Sequence, residues 1–353
     1  MSTEILQSLP QSPGVWKQAW LRLKTDRVGM VSLYVTMFFI ALVLAALFGL
    51  VAKDWNKEVG VPFAAPTLVG KIADGTQNAI VESVVGPNVD ISDVDPLASR
   101  YKEWDERAAQ FKTEVTVKAD TLPFGADQQG RDVFFKVIKG AQMSITVGLV
   151  AALFATLIGT VLGAIGGYFG GRVGDFLEWV YNVFTAIPYI LLVFALAAVL
   201  KSGPLASTLG SGVWTVVIIL SLVGWTGIYR LVRAEYMKHR SREYVMAAEA
   251  IGASTTSRMF RHILPNVSHV VLVQLSTHVV GFIKYEVILS YLGLGVSIDQ
   301  VSWGTMLAEA QGELILGHWW QLATATAFMA VFVTAFSLMA DGWRDALDPK
   351  GVK

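Results

Sequence analysis

The chain has 353 residues, of which 54 % are hydrophobic and 16 % charged, with 28 Lys and Arg against 28 Asp and Glu. A soluble domain carries about 25 % charged residues, and the deficit here sits in a few long apolar runs, which marks a polytopic membrane protein. A net charge of zero gives no sign of a nucleic-acid partner, and the absence of cysteine excludes disulfides, thiol catalysis and Cys-ligated metal or iron–sulfur sites.

Residues 14–27, GVWKQAWLRLKTDR, set Trp16, Trp20 and Leu23 among basic residues and predict an amphipathic helix on the inner membrane interface. The first apolar run, 29–51, is too long for a signal-peptide core and follows a long mixed segment, so it predicts a span rather than a cleaved leader. A bilayer core of about 30 Å takes roughly 20 helical residues. Five further runs qualify, at 143–168, 177–200, 213–233, 267–295 and 321–340, and Pro188 predicts a kink in the second of these.

Residues 53–141 read as a soluble insertion, rich in Asp, Glu and Lys over 82–120, with a surface helix predicted within 97–118 and no catalytic signature. The fold class expected is an all-α membrane protein with six transmembrane helices. Its parts are an N-terminal segment (1–28), a first span (29–51), an insertion (52–120), a five-helix core (121–341) and a tail (342–353). Lys and Arg set the orientation. They gather in the N-terminal segment, at Arg172, through 230–261 and in the tail, whereas the short loops 201–212 and 296–320 hold only Lys201. Both termini and the 242–266 loop are therefore expected in the cytoplasm, and the insertion outside.

Several stretches carry more order than a span requires. In Leu122–Asp132, LPFGADQQGRD, Gly125 and Gly130 allow tight turns, while Asp127, Arg131 and Asp132 supply charge pairs and a cap for the next helix. Gly159, Gly163, Gly166, Gly167, Gly170, Gly171 and Gly174 give small-xxx-small spacings that let helices approach closely, within this chain or against a partner. Lys284 and Glu286 lie near the outer end of the fifth span; two residues apart, they do not share a helix face. An intramembrane charge marks a transport path or a structural pair, so both are candidates for the path. His269 and His278 read as packing residues rather than ligands.

The loop 242–266, REYVMAAEAIGASTTSRMFRHILPN, is the most informative segment. Ala247 and Ala248 offer a smooth face, Gly252 a break, and Pro265 suits the first turn of a following helix. It resembles the "EAA" cytoplasmic loop of permease subunits in ATP-binding cassette importers, with Met246 where that family has Glu and with Glu243 and Glu249 three residues to either side. The turn at 122–132 resembles the GTD-x-x-GRD signature of the dipeptide/oligopeptide/nickel group. Residues 166–175 and Ala186-Ile187-Pro188, Glu286–Gly295 with Ser302–Leu307, and Asp341–Pro349 resemble further motifs of the same group, in the same order.

The resemblance implies a C-type permease subunit in the bacterial inner membrane. Its partners would be a second permease, two ATPase subunits and an external solute-binding protein. Glu243, Met246, Ala247, Ala248, Glu249, Gly252, Leu264 and Pro265 would form the ATPase contact, and Gly125, Asp127, Gly130, Arg131 and Asp132 the outer motif. No G-x-x-x-x-G-K-[ST], H-E-x-x-H or G-x-S-x-G occurs. The chain thus has no cofactor of its own and is not read as an enzyme, and ATP and Mg would belong to the partner subunits. Peptide is the substrate expected, with nickel, glutathione or sugar as alternatives. An ion-gradient-driven secondary transporter stands as the rival class.

Overall fold

The computed structural model describes residues 15–70, 96–97, 100–110, 118–202, 212–297 and 299–347. In chain order the elements are α1 (Val15–Thr25), α2 (Arg27–Leu47), β1 (Gly60–Pro66), α3 (Tyr101–Gln110), β2 (Ala119–Leu122), α4 (Val133–Phe169), α5 (Gly171–Thr185), α6 (Tyr189–Ser202), α7 (Val213–Arg240), α8 (Glu243–Ala250), α9 (Thr255–Tyr291), α10 (Trp303–Ile315) and α11 (Trp320–Leu347). They fall into two compact units, Asn56–Asp132 and the remainder. The turn at 125–132, expected to open the helical core, therefore belongs to the smaller unit.

Among the described residues, α2, α4, α7, α9 and α11 are long and apolar enough to cross a membrane. The pair α5 and α6 makes a sixth crossing if it counts as one span. The kink expected at Pro188 is an 85° break between these two helices. Proline disfavours helical backbone in the residue before it and has no N–H to continue a ladder. Its carbonyl instead starts α6, accepting from the Leu192 N–H at 3.1 Å.

The glycine stripe has its partner within this chain. A Cβ on Gly159 would lie 2.5 Å from the Trp225 carbonyl oxygen, one on Gly163 2.8 Å from that of Tyr229, and one on Gly167 2.5 Å from that of Arg233. These three positions let α4 lie directly on the backbone of α7. In hydrocarbon, where burial of apolar surface does not drive helices together, such close van der Waals packing is what holds them.

At the other end of the chain α1 forms as expected, but its apolar face is not left for the lipid interface. Ala19 and Leu23 are buried against Ala346, with Met30, Leu33, Trp343 and Leu347 packed around them. Trp20 stacks on Trp343 at 5.9 Å, and Lys24 lies over the Trp20 ring at 5.4 Å. Asp26 then caps α2, accepting from the Val28 and Gly29 N–H groups at 3.0 Å. The side chain of Trp16, residues 1–14 and Asp348–Pro349 of the last motif lie outside the described residues.

The smaller unit carries a parallel pair of strands that the all-α reading lacked, with Gly60 opposite Ala119 and Pro66 opposite Leu122. The segments are too short and too rich in Ala and Pro to announce themselves. The surface helix expected within 97–118 is α3; residues 98–99 and 111–117 lie outside the described residues.

Candidate functional site: the 242–266 loop and its anchorage

The loop is a helix–turn–helix built by local rules. Arg242 adopts extended backbone and starts α8. The helix ends in a Schellman closure: Ala253 N–H donates to the Ala248 carbonyl and Gly252 N–H to that of Glu249, both at 2.9 Å. Gly252 sits at φ +85°, a conformation costing other L-residues about 1–2 kcal/mol. Ser254 then caps the next helix, its side chain accepting from the Ser257 N–H at 3.3 Å. Pro265 comes just after a π-helical turn at Arg258–Ile263. Proline cannot donate back to residue 261, and the wider turn carries the helix past it, with Leu264 N–H bonded to the Met259 carbonyl.

The two alanines part company. Neighbours on an α-helix are about 100° apart, so they cannot present one face. Ala248 is buried together with Val245, whereas Ala247 is exposed, so the smooth paired face expected from the sequence does not form. Glu243, Met246, Ala247 and Ala250, spaced i, i+3, i+4, i+7, make one outward stripe. Glu243 shares that stripe with Met246. Glu249 instead forms an ion pair with Arg258 across the turn. Leu264 is half-buried and Pro265 exposed.

The inward side is fastened to the ends of three long helices. Val245, Met259, Ile263 and Val267 share one buried cluster with Ala164 and Tyr168 of α4 and Ile228, Val232 and Tyr236 of α7. Tyr236 donates its hydroxyl to the Met259 carbonyl at 3.1 Å, and Arg240 Nη1 donates to the Tyr168 carbonyl at 2.8 Å. Arg258 lies 5.9 Å over the Tyr168 ring. Tyr244 meets His239 Nδ1 at 2.8 Å, and burial holds its phenol above the ordinary value, so it stays a neutral hydroxyl. Val245 of α8 thus shares one buried cluster with residues of α4, α7 and α9.

The turn at 125–132 is organised around Asp127, which is fully buried. Its carboxylate accepts from the Gln129 N–H at 2.9 Å, the Arg131 N–H at 3.0 Å and Arg131 Nε at 2.6 Å. Gly125 and Gly130 sit at φ +80° and +81°, and a Cβ on Gly130 would overlap the Gly60 carbonyl. Ala126 is fully buried and bonds the Ala64 carbonyl at 2.8 Å; Asp132 is nearly buried and bridges to Ala126. The charge pair expected of Asp127 and Arg131 is present.

Lys284 and Glu286 separate as their spacing requires. Lys284 is exposed, while Glu286 is fully buried. Ser290 Oγ donates to the Glu286 carboxyl at 2.6 Å, and the Ser144 and Ser302 hydroxyls face the same group. Glu286 thus lies inside the chain's own packing. It belongs to a corner in which Trp303 N–H donates to Ser144 Oγ and Trp303 Nε1 to the Val137 carbonyl, each at 3.2 Å, and Ser302 and Thr305 form a capping box. His278 stacks on Phe282 and meets Thr156 Oγ1 at 3.1 Å, a packing role as read from the sequence.

A second buried polar group was missed. Lys136 has no exposure; it pairs with Glu309 and donates to Gln321 Oε1 at 3.2 Å, joining α4, α10 and α11. A lysine in the apolar stretch 133–141 was the available signal. Among the described residues no cluster of carboxylates and histidines is arranged to hold a metal ion.

The long apolar helices, with one short helix packed on their ends, define a polytopic membrane protein. Residues 159–352 match the family described as the binding-protein-dependent transport system inner membrane component, and the chain belongs to that family. It is 30 % identical over 334 residues to the dipeptide transport system permease protein DppC of Bacillus subtilis, covering 95 % of this chain and 85 % of that protein. It is 32 % identical over 260 residues to the oligopeptide transport system permease protein OppC of the same organism, covering 72 % and 79 %. With OppC of Salmonella typhimurium it shares 37 % over 227 residues, 64 % of this chain and 72 % of that one. A chain of the MetNI methionine ABC transporter, in inward-facing conformations, shares the fold at a TM-score of 0.50 and 15 % identity, covering 61 % of this chain and 98 % of that one.

Proposed function

We propose that this chain works as one permease subunit of an ATP-driven importer in the bacterial cytoplasmic membrane, and that peptides are its cargo. The named relatives, transport-system permeases for dipeptides and oligopeptides, support that cargo. Both termini and the 242–266 loop lie on the cytoplasmic side, and the 52–120 insertion outside. A second permease, two ATPase subunits that bind ATP and Mg, and an external binding protein complete the machine. The single observation that supports the coupling role is the packing of Val245 of α8 into the buried cluster of α4, α7 and α9, where Tyr236 also bonds the Met259 carbonyl.

In this mechanism, closure of the ATPase pair pushes on Glu243, Met246, Ala247 and Ala250. Ala248 and Val245 relay the movement inward, the Gly252 closure and the Glu249–Arg258 pair keep the loop rigid, and Leu264 and Pro265 begin the helix that tilts. The exposed Lys284 is assigned to the translocation path and the buried Glu286 to holding the α9–α10 corner.

Gly252→Pro tests the coupling. Proline fixes φ near −65° and removes the N–H that closes α8. The expected outcome is a complex that assembles at normal yield but hydrolyses ATP without moving cargo, read as ATPase activity against uptake in proteoliposomes. Uptake at the wild-type rate sinks the coupling role. Uptake that persists on an ion gradient without ATP would favour the secondary-transporter reading.

A further inference from the structure

We infer that the ATPase subunit served by this chain receives α8 in an apolar groove, with Met246 as the anchor, rather than in a charged one. This rests on the reading of 242–266 as the ATPase-docking loop, and it adds the chemistry of the groove.

Of Glu243, Met246, Ala247 and Ala250, three are apolar, and Met246 is 52 % exposed. Ile251, one residue past the helix end, is 85 % exposed. Exposed apolar side chains gathered on one short helix suit a contact surface. The i, i+3, i+4, i+7 spacing is the one an amphipathic helix uses to lie in a groove. The opposite side, Val245 and Ala248, is already occupied by the chain's own core, so the outward stripe has no intramolecular use.

The charges point the same way. Glu249 pairs with Arg258 and lies off the stripe of Glu243, Met246, Ala247 and Ala250. Glu243 sits in the first turn, at the positive end of the helix dipole and away from the centre of the stripe. A cationic groove would thus meet Met246 and Ala250 at its centre and leave its own charge desolvated and unpaired. An apolar groove loses nothing. Methionine, flexible and unbranched, fills an irregular apolar pocket well. Two small alanines beside it let the groove walls approach the helix closely.

The whole complex, purified in mild detergent through a tag on this chain, tests the inference by the amount of ATPase subunit retained. Retention is expected to stay within about twofold as salt rises from 0.1 to 1 M, a range over which the screening length falls from about 10 to about 3 Å. Met246→Leu is expected to behave as the parent, and Met246→Glu to lower retention at least about tenfold. Position 246 is exposed, so neither change disturbs the fold of this chain. Retention that collapses with salt, or that Met246→Glu leaves unchanged, overturns the apolar groove. Ala247→Cys cross-linking to the ATPase separates the two levels. A cross-link with an unaffected Met246→Glu leaves the docking reading standing and removes only the groove chemistry; no cross-link removes both.

Discussion

Gly159→Leu is expected to prevent the helical unit from assembling. The substituted side chain would project into the α4–α7 seam, where even a Cβ lies 2.5 Å from the Trp225 carbonyl oxygen and overlaps Ile228. A side chain can rotate away from such a clash, but a backbone carbonyl inside a helix cannot. Overpacking a core costs typically 1–3 kcal/mol and more when backbone must move, and here the two helices would have to separate along their longest contact. In lipid the loss is compounded, since close packing is the main term holding the pair. Gly281→Leu is the control. It changes the same residue type in another span, where an added Cβ has no neighbour within 4 Å. Size-exclusion profiles in detergent should show a symmetric peak for the control and aggregate or no protein for Gly159→Leu. A normal peak for both would mean that the seam is looser than its geometry.

Asp127→Ala is the second large effect, and it falls on the smaller unit. One buried carboxylate there accepts from two backbone N–H groups and from the Arg131 guanidinium. A hydrogen bond to a charged group contributes about 1.5–3 kcal/mol. Removing three at a buried site should cost on the order of 3–5 kcal/mol, at the top of the range for point changes. Limited proteolysis should then cut within 56–132 at protease levels the parent resists. Asp127→Asn, which keeps one carbonyl acceptor, should fall between the two. Equal resistance in all three would show that the glycine turns alone, at Gly125 and Gly130, hold this loop.

These two positions also show how far the sequence could be read. Gly159 and its companions announced close packing by spacing, but spacing does not say against what, and at Gly159, Gly163 and Gly167 the partner is the chain's own α7. Asp127 and Arg131 announced a pair because opposite charges four apart in a Gly-bounded turn have few other places to go. The length of the apolar runs gave the long helices, since roughly 20 apolar residues have little alternative to a span.

What stayed hidden depended on contacts between distant segments. The β1–β2 pair joins residues some 60 positions apart in short, Ala- and Pro-containing stretches. The docking of α1 on α11 brings together the two ends of the chain. The serines around Glu286 come from three separate stretches of chain, so its buried surroundings could not be read from the sequence. In the loop itself the residues were legible and their directions were not. Helical geometry only sets Ala247 and Ala248 about 100° apart; the burial of Ala248 with Val245 shows which of them faces inward.

That division gives the most direct test of the coupling role. The chain has no cysteine of its own, so single cysteines can be placed without background. Ala247→Cys and Ala248→Cys, each in the assembled complex, are treated with a short thiol-reactive cross-linker, and the product is probed for the ATPase subunit. The account predicts a cross-link from position 247 that varies with nucleotide, and none from position 248, which is buried against the chain's own core. Cross-links from both positions alike, or from neither, would contradict the assignment of the outward stripe of α8 as the surface through which ATP hydrolysis moves the spans.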